Sequence, residues 1–425
     1  MSRLVRRLLA VATAALPLAP LAAQRPLALP LRDRALADAL ARLRADNAFT
    51  LEQQASICEI PAPPFKEQAR AAEFMRRLAA FGIDGLRTDA VGNVIGLRRG
   101  AGGGPLVVLS AHLDTVFPEG TDVRVTRDTT GGRTVLAGPG IGDDCRGLAS
   151  LIAVARAMQA AKVRTAGDIL FVGTVGEEGP GNLRGVRALF EGEYKGRIDY
   201  FLSVDGTGFG VTTGAVGSNR YRVAYTGPGG HSYGAFGMPN PVHALGRAIA
   251  KVAAFEVPTE PKTTFSVSVV RGGTSVNAIP AEAAFEVDMR SESATALAAL
   301  DARFQAAIRA ALDEERARWP TSRVPLTLTV DTIGLRPAGA QPDSAYIVRV
   351  AVETARALGF PVVPNASSTD ANVPIALGIP AITLDAAGRG RGSHSLEETY
   401  EDGPNGWLGP QWVALVTATL ARLAR

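Results

Sequence analysis

The chain has 425 residues, 46% hydrophobic and 20% charged, so it can bury a large core and exceeds the usual size of one domain. Its formal charge is +4, but Arg3, Arg6 and Arg7 supply three of those charges with no acid in the first 23 residues, leaving +1 for the remainder. A balance so near zero gives no electrostatic case for nucleic-acid binding. Two cysteines, Cys58 and Cys145, are too few for a disulfide scaffold. Export would permit them to pair, yet Cys145 follows two aspartates and is read as a free thiol that packs among apolar neighbours.

Residues 1–23 are set apart as an export signal. MSRLVRR is basic, LLAVATAALPLAPLAA is apolar but short for a membrane span and interrupted by proline, and LAA before Gln24 offers small residues for cleavage. The expected mature protein is periplasmic or secreted, with no stable membrane anchor. ALADALARLRADN and EQARAAEFMRRLAAFG then have helical spacing, and LRTDAVGNVIGLRRG reads as a hairpin. Three apolar runs of strand length follow, PLVVLSA, DILFVGTV and DYFLSV, with the helical GLASLIAVARAMQAA between the first two and the short helix RGVRALFEG after the second. Strands alternating with helices predict a mostly parallel α/β sheet, the first part of an α/β domain over residues 24–215.

Over 216–333 the grammar changes. SNRYRVAYTG, TTFSVSVVRGG, AEAAFEVDMRS and PLTLTVDTIG read as strands, PVHALGRAIAKVAAF and the long ATALAALDARFQAAIRAALDEERARW as helices. That order suits a small α+β domain inserted into the first. Residues 334–425 return to α/β grammar, with the helix SAYIVRVAVETARALG, the strand AITLD and a closing helix.

In an open parallel sheet, ligands bind beyond the carboxyl ends of the strands, and the chain places its polar residues there. PLVVLSA runs into His112 and Asp114, DILFVGTV into Glu177 and Glu178, and DYFLSV into Asp205; GPGIGDDCRG puts Asp143 and Asp144 on a turn before a helix, and the loop after AITLD carries His394. Two histidines and at least four acids converging on one rim suit a pair of zinc ions bridged by a carboxylate. Adjacent glutamates in extended chain point to opposite faces, so Glu177 and Glu178 serve one site only if the backbone turns, which Gly176 and Gly179 permit. One could then bind metal while the other takes a proton from water.

SAHLDTVFPEG, GPGIGDDCRG, GTVGEEGPGN, VDGTG, GPGGHS, GGTSVNAIP, DMR and GSHSLEETYE, in that order, resemble the M20 metallopeptidase family with its peptidase T, carboxypeptidase G and acylamino-acid deacylase branches. The resemblance implies a zinc-peptidase catalytic domain with an inserted lid and dimerisation domain, two Zn²⁺ per subunit and a homodimer formed through the lid. It implies His112 and Asp205 on one zinc, Glu178 and His394 on the other, Asp143 between them, Asp114 orienting His112, and Glu177 as general base. It further implies that His231 reaches the oxyanion from a partner subunit's lid, that Asn277 and Arg290 bind substrate, and that Arg336 grips a substrate carboxylate, to which its planar fork is suited. His243 is read as structural. The expected activity is exopeptidase action on small peptides, peptidase T-like aminopeptidase action first, with carboxypeptidase or hydrolysis of acylated amino acids as the alternative. The M28 aminopeptidases share a similar ligand order but lack an inserted lid, and a non-catalytic binding protein would be expected to lack ligands.

Overall fold

The computed structural model describes residues 27–424, so the export-signal reading lies outside the described residues. Strands Ile169–Thr174, Val107–His112, Tyr200–Val204 and Ala381–Leu384 lie side by side in that order, all parallel, at the centre of a nine-stranded sheet. Every residue of Val107–His112 and Ile169–Thr174 is buried, which is why these strands read as apolar runs rather than alternations. Antiparallel strands finish both edges: the hairpin Asp84–Thr88 with Val94–Arg98 on one side, and Val211–Ala215 with Gly339–Ala340 on the other.

The two faces of the sheet pack into separate cores. Val107, Leu109 and Ala111 join Leu36, Leu148, Val350 and Trp412, from helices Arg34–Ala45, Cys145–Ala160, Tyr346–Ala357 and Leu408–Ala421. Val108 and Val172 point the other way, against Val186 and Leu189 of helix Arg184–Glu191 and Val373 of helix Asn372–Ala376. Helices thus cover both sides, and the only exit for polar side chains of the parallel strands is at their ends.

Strands Thr263–Gly272, Glu282–Ser291, Gly217–Thr226 and Thr327–Arg336 form a second, wholly antiparallel sheet in that order. Helices Pro241–Ala253 and Ala294–Arg318 bury Val223, Tyr225, Phe285 and Phe304 against one of its faces. Asn240 and Ser293 cap these helices by accepting from Val242 N and Ala296 N. Glu315, fully buried, accepts from Asn240 N, Arg247 Nε and Trp319 Nε1, and tethers the two helices to each other. His243 stands at its edge, mostly exposed, 3.7 Å from the Glu315 carboxylate.

Two features differ from expectation. Cys145 is not free but is joined to Cys58 in a disulfide, with their Cα atoms 5.4 Å apart. The partners lie 87 residues apart in sequence. What joins them is that helix Asn47–Cys58 ends against the start of helix Cys145–Ala160. The second is a small sheet of three-residue strands, Thr126–Asp128, Val135–Ala137, Thr399–Glu401 and Arg389–Arg391, too short for alternation to signal. It ties the segment leading into Asp143 to the loop that carries His394.

Candidate active site

His112 ends its strand, Glu177 and Glu178 follow the next strand, Asp205 follows Tyr200–Val204, and the loop after Ala381–Leu384 brings His394. Asp143 comes from the turn before helix Cys145–Ala160 and stands between the two imidazoles. Its Oδ1 is 2.9 Å from His112 Nε2 and its Oδ2 is 3.1 Å from His394 Nε2. Glu178 Oε1 lies 3.0 Å from His394 Nε2, and Asp205 Oδ1 lies 3.9 Å from His112 Nε2. Ligand atoms of His112, Asp143 and Glu178 all fall within 4.8 Å of one another.

Asp143 and Asp144, which spacing leaves undecided, separate cleanly in space. Asp144 is fully buried, accepts from Gly147 N to cap its helix and from His112 N to hold the strand end. Asp143 faces the imidazoles. The role expected of Asp114 changes too. His112 Nδ1 is 3.0 Å from the Asp114 backbone carbonyl and 3.8 Å from its carboxylate. A carbonyl can only accept, so Nδ1 carries the proton and Nε2 is turned to the cluster. The Asp114 carboxylate is occupied elsewhere, accepting from Glu177 N at 3.1 Å and Glu178 N at 2.8 Å. It therefore builds the turn that lets both glutamates face one site. Gly176, at φ +67°, completes that turn, where a Cβ would strike the Arg184 side chain.

Electrostatics follow from crowding buried acids together. Burial pushes Glu177 up to about 8, although Arg336 pulls the other way. Burial likewise raises Asp205, with Asp143 adding to the effect, and lifts Asp114 to about 6. Burial works to raise Asp143 as well, but hydrogen bonds from both imidazoles hold it below the usual carboxylate range. Bonds to Asp143 and Glu178 raise His394 to about 10. Asp143 and the imidazoles stabilise one another's charged forms, while burial moves Glu177, Asp205 and Asp114 toward their neutral forms.

Other expected residues are placed less uniformly. Arg336 is buried at the wall of the cleft with its guanidinium engaged: Nη1 donates to Glu177 Oε1 and to Ser368 Oγ, both at 3.0 Å, and Nη2 donates to the Glu177 carbonyl. A buried carboxylate needs a countercharge, and Arg336 supplies it. Arg290 and Arg336 line one cavity, of about 1000 Å³, together with Asp143, Glu177, Glu178, Asp205 and His394. His231 and Asn277 do not line it; both are exposed on or beside the two-stranded ribbon Gly230–His231 with Ala278–Ile279. His231 Nδ1 accepts from Tyr233 N and Gly234 N, and Asn277 Oδ1 accepts from Ser275 Oγ.

Sequence reading passed over Glu398, four residues beyond His394. Its buried carboxylate accepts from Gly140 N at 2.9 Å, Gly142 N at 2.8 Å and Asp143 N at 3.0 Å. One side chain thereby fastens the Asp143 turn to the His394 loop. Its position in GSHSLEETYE is the one available signal, and nothing in that string tells which backbone it meets.

The description Peptidase family M20/M25/M40 matches residues 108–408, a span holding every residue of this cluster. The chain belongs to this family. As an M20 protein it is a metal-dependent hydrolase of peptide or amide bonds. It is similar to the succinyl-diaminopimelate desuccinylase of Burkholderia ambifaria, 30% identical over 267 residues that cover 59% of this chain and 70% of that protein. Its fold is similar to that of aminopeptidase PepT from Bacillus cereus, with a TM-score of 0.69 at 19% identity over 90% of this chain and 99% of that one. A tripeptidase from Staphylococcus aureus superposes with a TM-score of 0.71 at 18% identity, covering 88% and 98% of the two chains.

Proposed function

We propose that this M20 hydrolase binds two zinc ions and cleaves small peptides or N-acylated amino acids, with Glu177 as general base. The observation that carries the proposal is Asp143, whose two carboxylate oxygens meet His112 Nε2 at 2.9 Å and His394 Nε2 at 3.1 Å. Imidazole nitrogens and carboxylates converging on one point fit zinc. His112 and Asp205 would hold one ion, Glu178 and His394 the other, and Asp143 both. When bound, the ions supply Lewis acidity and make water acidic enough to react near neutral pH.

The protein's own groups do the rest. Glu177 takes a proton from the attacking water and returns it to the leaving amine. Arg336 holds that carboxylate and favours its charged form, while Asp114 fixes the peptide groups that carry both glutamates. His231 lies outside this chain's own cleft, in keeping with delivery to a partner's site across a homodimer. Exposed Tyr233, Phe236 and Val276 in the same part of the lid would be covered by such a contact. Export is part of the proposal and rests on the N-terminal reading; the Cys58–Cys145 disulfide suits an oxidising compartment.

Two substrate modes follow from different observations. The fold likeness to PepT favours a peptidase T-like aminopeptidase, and the desuccinylase relatives favour an amidohydrolase acting on N-acylated amino acids. Amine release from zinc-loaded protein would be measured on free tripeptides, their N-acylated forms and their C-amidated forms. A requirement for a free amino end supports the first mode. Tolerance of acylation with a requirement for a free carboxylate supports the second, and zinc-loaded protein that cleaves none of them refutes both.

A further inference from the structure

The antiparallel sheet joins the rest of the protein through two crossings, at Val216 before strand Gly217–Thr226 and at Pro337 after strand Thr327–Arg336. Asn372 binds both. Its side chain is fully buried, Nδ2 donates to the Val216 carbonyl at 2.8 Å and to the Pro337 carbonyl at 3.0 Å, and Oδ1 accepts from Thr369 N at 2.9 Å. One amide therefore fixes the hinge at a point immediately beyond Arg336.

The residue on the other side of Arg336 is held as well. Leu335 is exposed on an edge strand, where unpaired peptide groups face outward. Both of its peptide groups are taken by the segment that follows the two glutamates: the N–H donates to Asn182 Oδ1 at 2.9 Å, and the carbonyl accepts from Arg187 Nη2. Arg187 Nε also donates to the Asn182 carbonyl at 3.1 Å, so the two side chains act as one clasp. Gly334 permits the approach, since a Cβ there would lie 3.3 Å from Asn182 Oδ1. The strand register shifts between Thr332 and Gly334, so the clasp meets the strand where its pairing is already interrupted.

Asn182 belongs to the loop that carries Glu177. Leu183 N donates to the Gly176 carbonyl at 2.8 Å and closes residues 176–183 into one loop. Asn182, at φ +51°, and Leu183, at φ +60°, are both left-handed, a conformation that asparagine tolerates and a buried leucine rarely adopts. Such strain persists where the surroundings impose it. Here the Leu183 side chain is fixed in the core and the Asn182 side chain on Leu335. Arg336 thus lies between two anchors while it donates to Glu177.

We propose that Asn182 and Arg187 are positioning residues that tie the general base to the antiparallel unit. While they hold Leu335, Arg336 stays on Glu177. When the unit swings about the hinge fixed by Asn372, the exposed Leu335 contact breaks first and Arg336 follows, so the base is in place only while the strand is clasped. This goes beyond the hydrolase reading above and rests on it for the kinetic part of its test.

Asn182→Gly removes the acceptor while leaving the left-handed conformation free of strain, and Asn182→Asp keeps an acceptor. On zinc-loaded protein and any substrate that wild type cleaves, Asn182→Gly should lower kcat about fivefold with KM near wild type, as for loss of one hydrogen bond that matters to the transition state alone. Asn182→Asp should recover most of that loss. Unchanged kcat in folded Asn182→Gly, a loss carried by KM alone, or a loss that Asn182→Asp does not recover overturns the clasp. Amide hydrogen exchange needs no catalysis. In Asn182→Gly the amides of Leu335, Glu177 and Glu178 should all exchange faster than in wild type, and any other pattern overturns the coupling. If no substrate is cleaved, the hydrolase reading fails on its own and the exchange measurement decides. Arg187→Gln, with Arg187→Lys as its conservative partner, carries the same comparisons should Asn182→Gly not fold.

Discussion

His112 and His394 meet the same carboxylate from opposite sides, in surroundings that have little in common. His112 is 2% exposed and ends a parallel strand, with its N–H held by Asp144 and its Nδ1 by the Asp114 carbonyl. His394 is 55% exposed, lies on a loop at φ +66°, and meets its partners through Nε2 alone. One half of the cluster is therefore assembled by the folding of the sheet. The other is assembled by a loop closing over it, and loops open at lower free energy than core strands. The proposed metals should differ in the same sense, one tightly held and one exchangeable.

The sharpest way to break this comparison is to remove each imidazole in turn. His112→Ala should lose zinc and also destabilise the fold by about 2–4 kcal/mol, because it opens a cavity among buried acids and removes their countercharge. His394→Ala should retain one zinc and unfold within a degree or two of wild type. Metal content and thermal denaturation of the two proteins check both statements. Equal losses of zinc and stability would show that the halves are not distinct. Glu177→Gln should spare both halves and remove chemistry: two zincs retained, kcat lower by roughly 10²–10⁴. A rate near wild type would remove Glu177 as the base.

Glu398→Gln is the next smaller step. It keeps shape but weakens three bonds to the Asp143 turn, so zinc affinity should fall by about 10–100-fold, the range for partners that orient ligands. The loss should fall first on the His394 half, which shares its loop with Glu398. A competing chelator titration reads both steps, and a uniform loss would mean that Glu398 supports the fold rather than the loop.

Legibility divided along the same line. Apolar runs ending in His112, Glu177 and Asp205 disclosed the parallel sheet, because strands buried on both faces can show polarity only at their ends. The separate antiparallel sheet is legible in the change of grammar near Gly217. What stayed hidden depends on long-range contact. Arg336 lies 159 residues from Glu177, and Glu398 lies 255 from Asp143. An arginine near a cleft suggests substrate, and only its neighbours show that this one faces the base. The atom by which Asp114 meets His112 stays hidden for a related reason: its backbone carbonyl competes with its carboxylate for the same imidazole nitrogen, and strand geometry decides between them.

The disulfide supplies the last test of the comparison, the one with the smallest expected effect on the metals. Cys145 follows the Asp143–Asp144 pair directly, and Cys58 anchors it to a helix on the buried side of the cluster. Breaking the bond frees a closed segment of 87 residues in the unfolded chain, and Cys58→Ser should lower stability by about 2–4 kcal/mol. The Asp144 cap and the Glu398 bonds would still hold the turn, so zinc stoichiometry should stay at the wild-type value while the protein is folded. Denaturant unfolding with and without reductant, alongside metal analysis, separates these outcomes. If Cys58→Ser loses zinc before it loses structure, the disulfide is part of what positions Asp143, and the buried half of the site is less self-sufficient than its hydrogen bonds indicate.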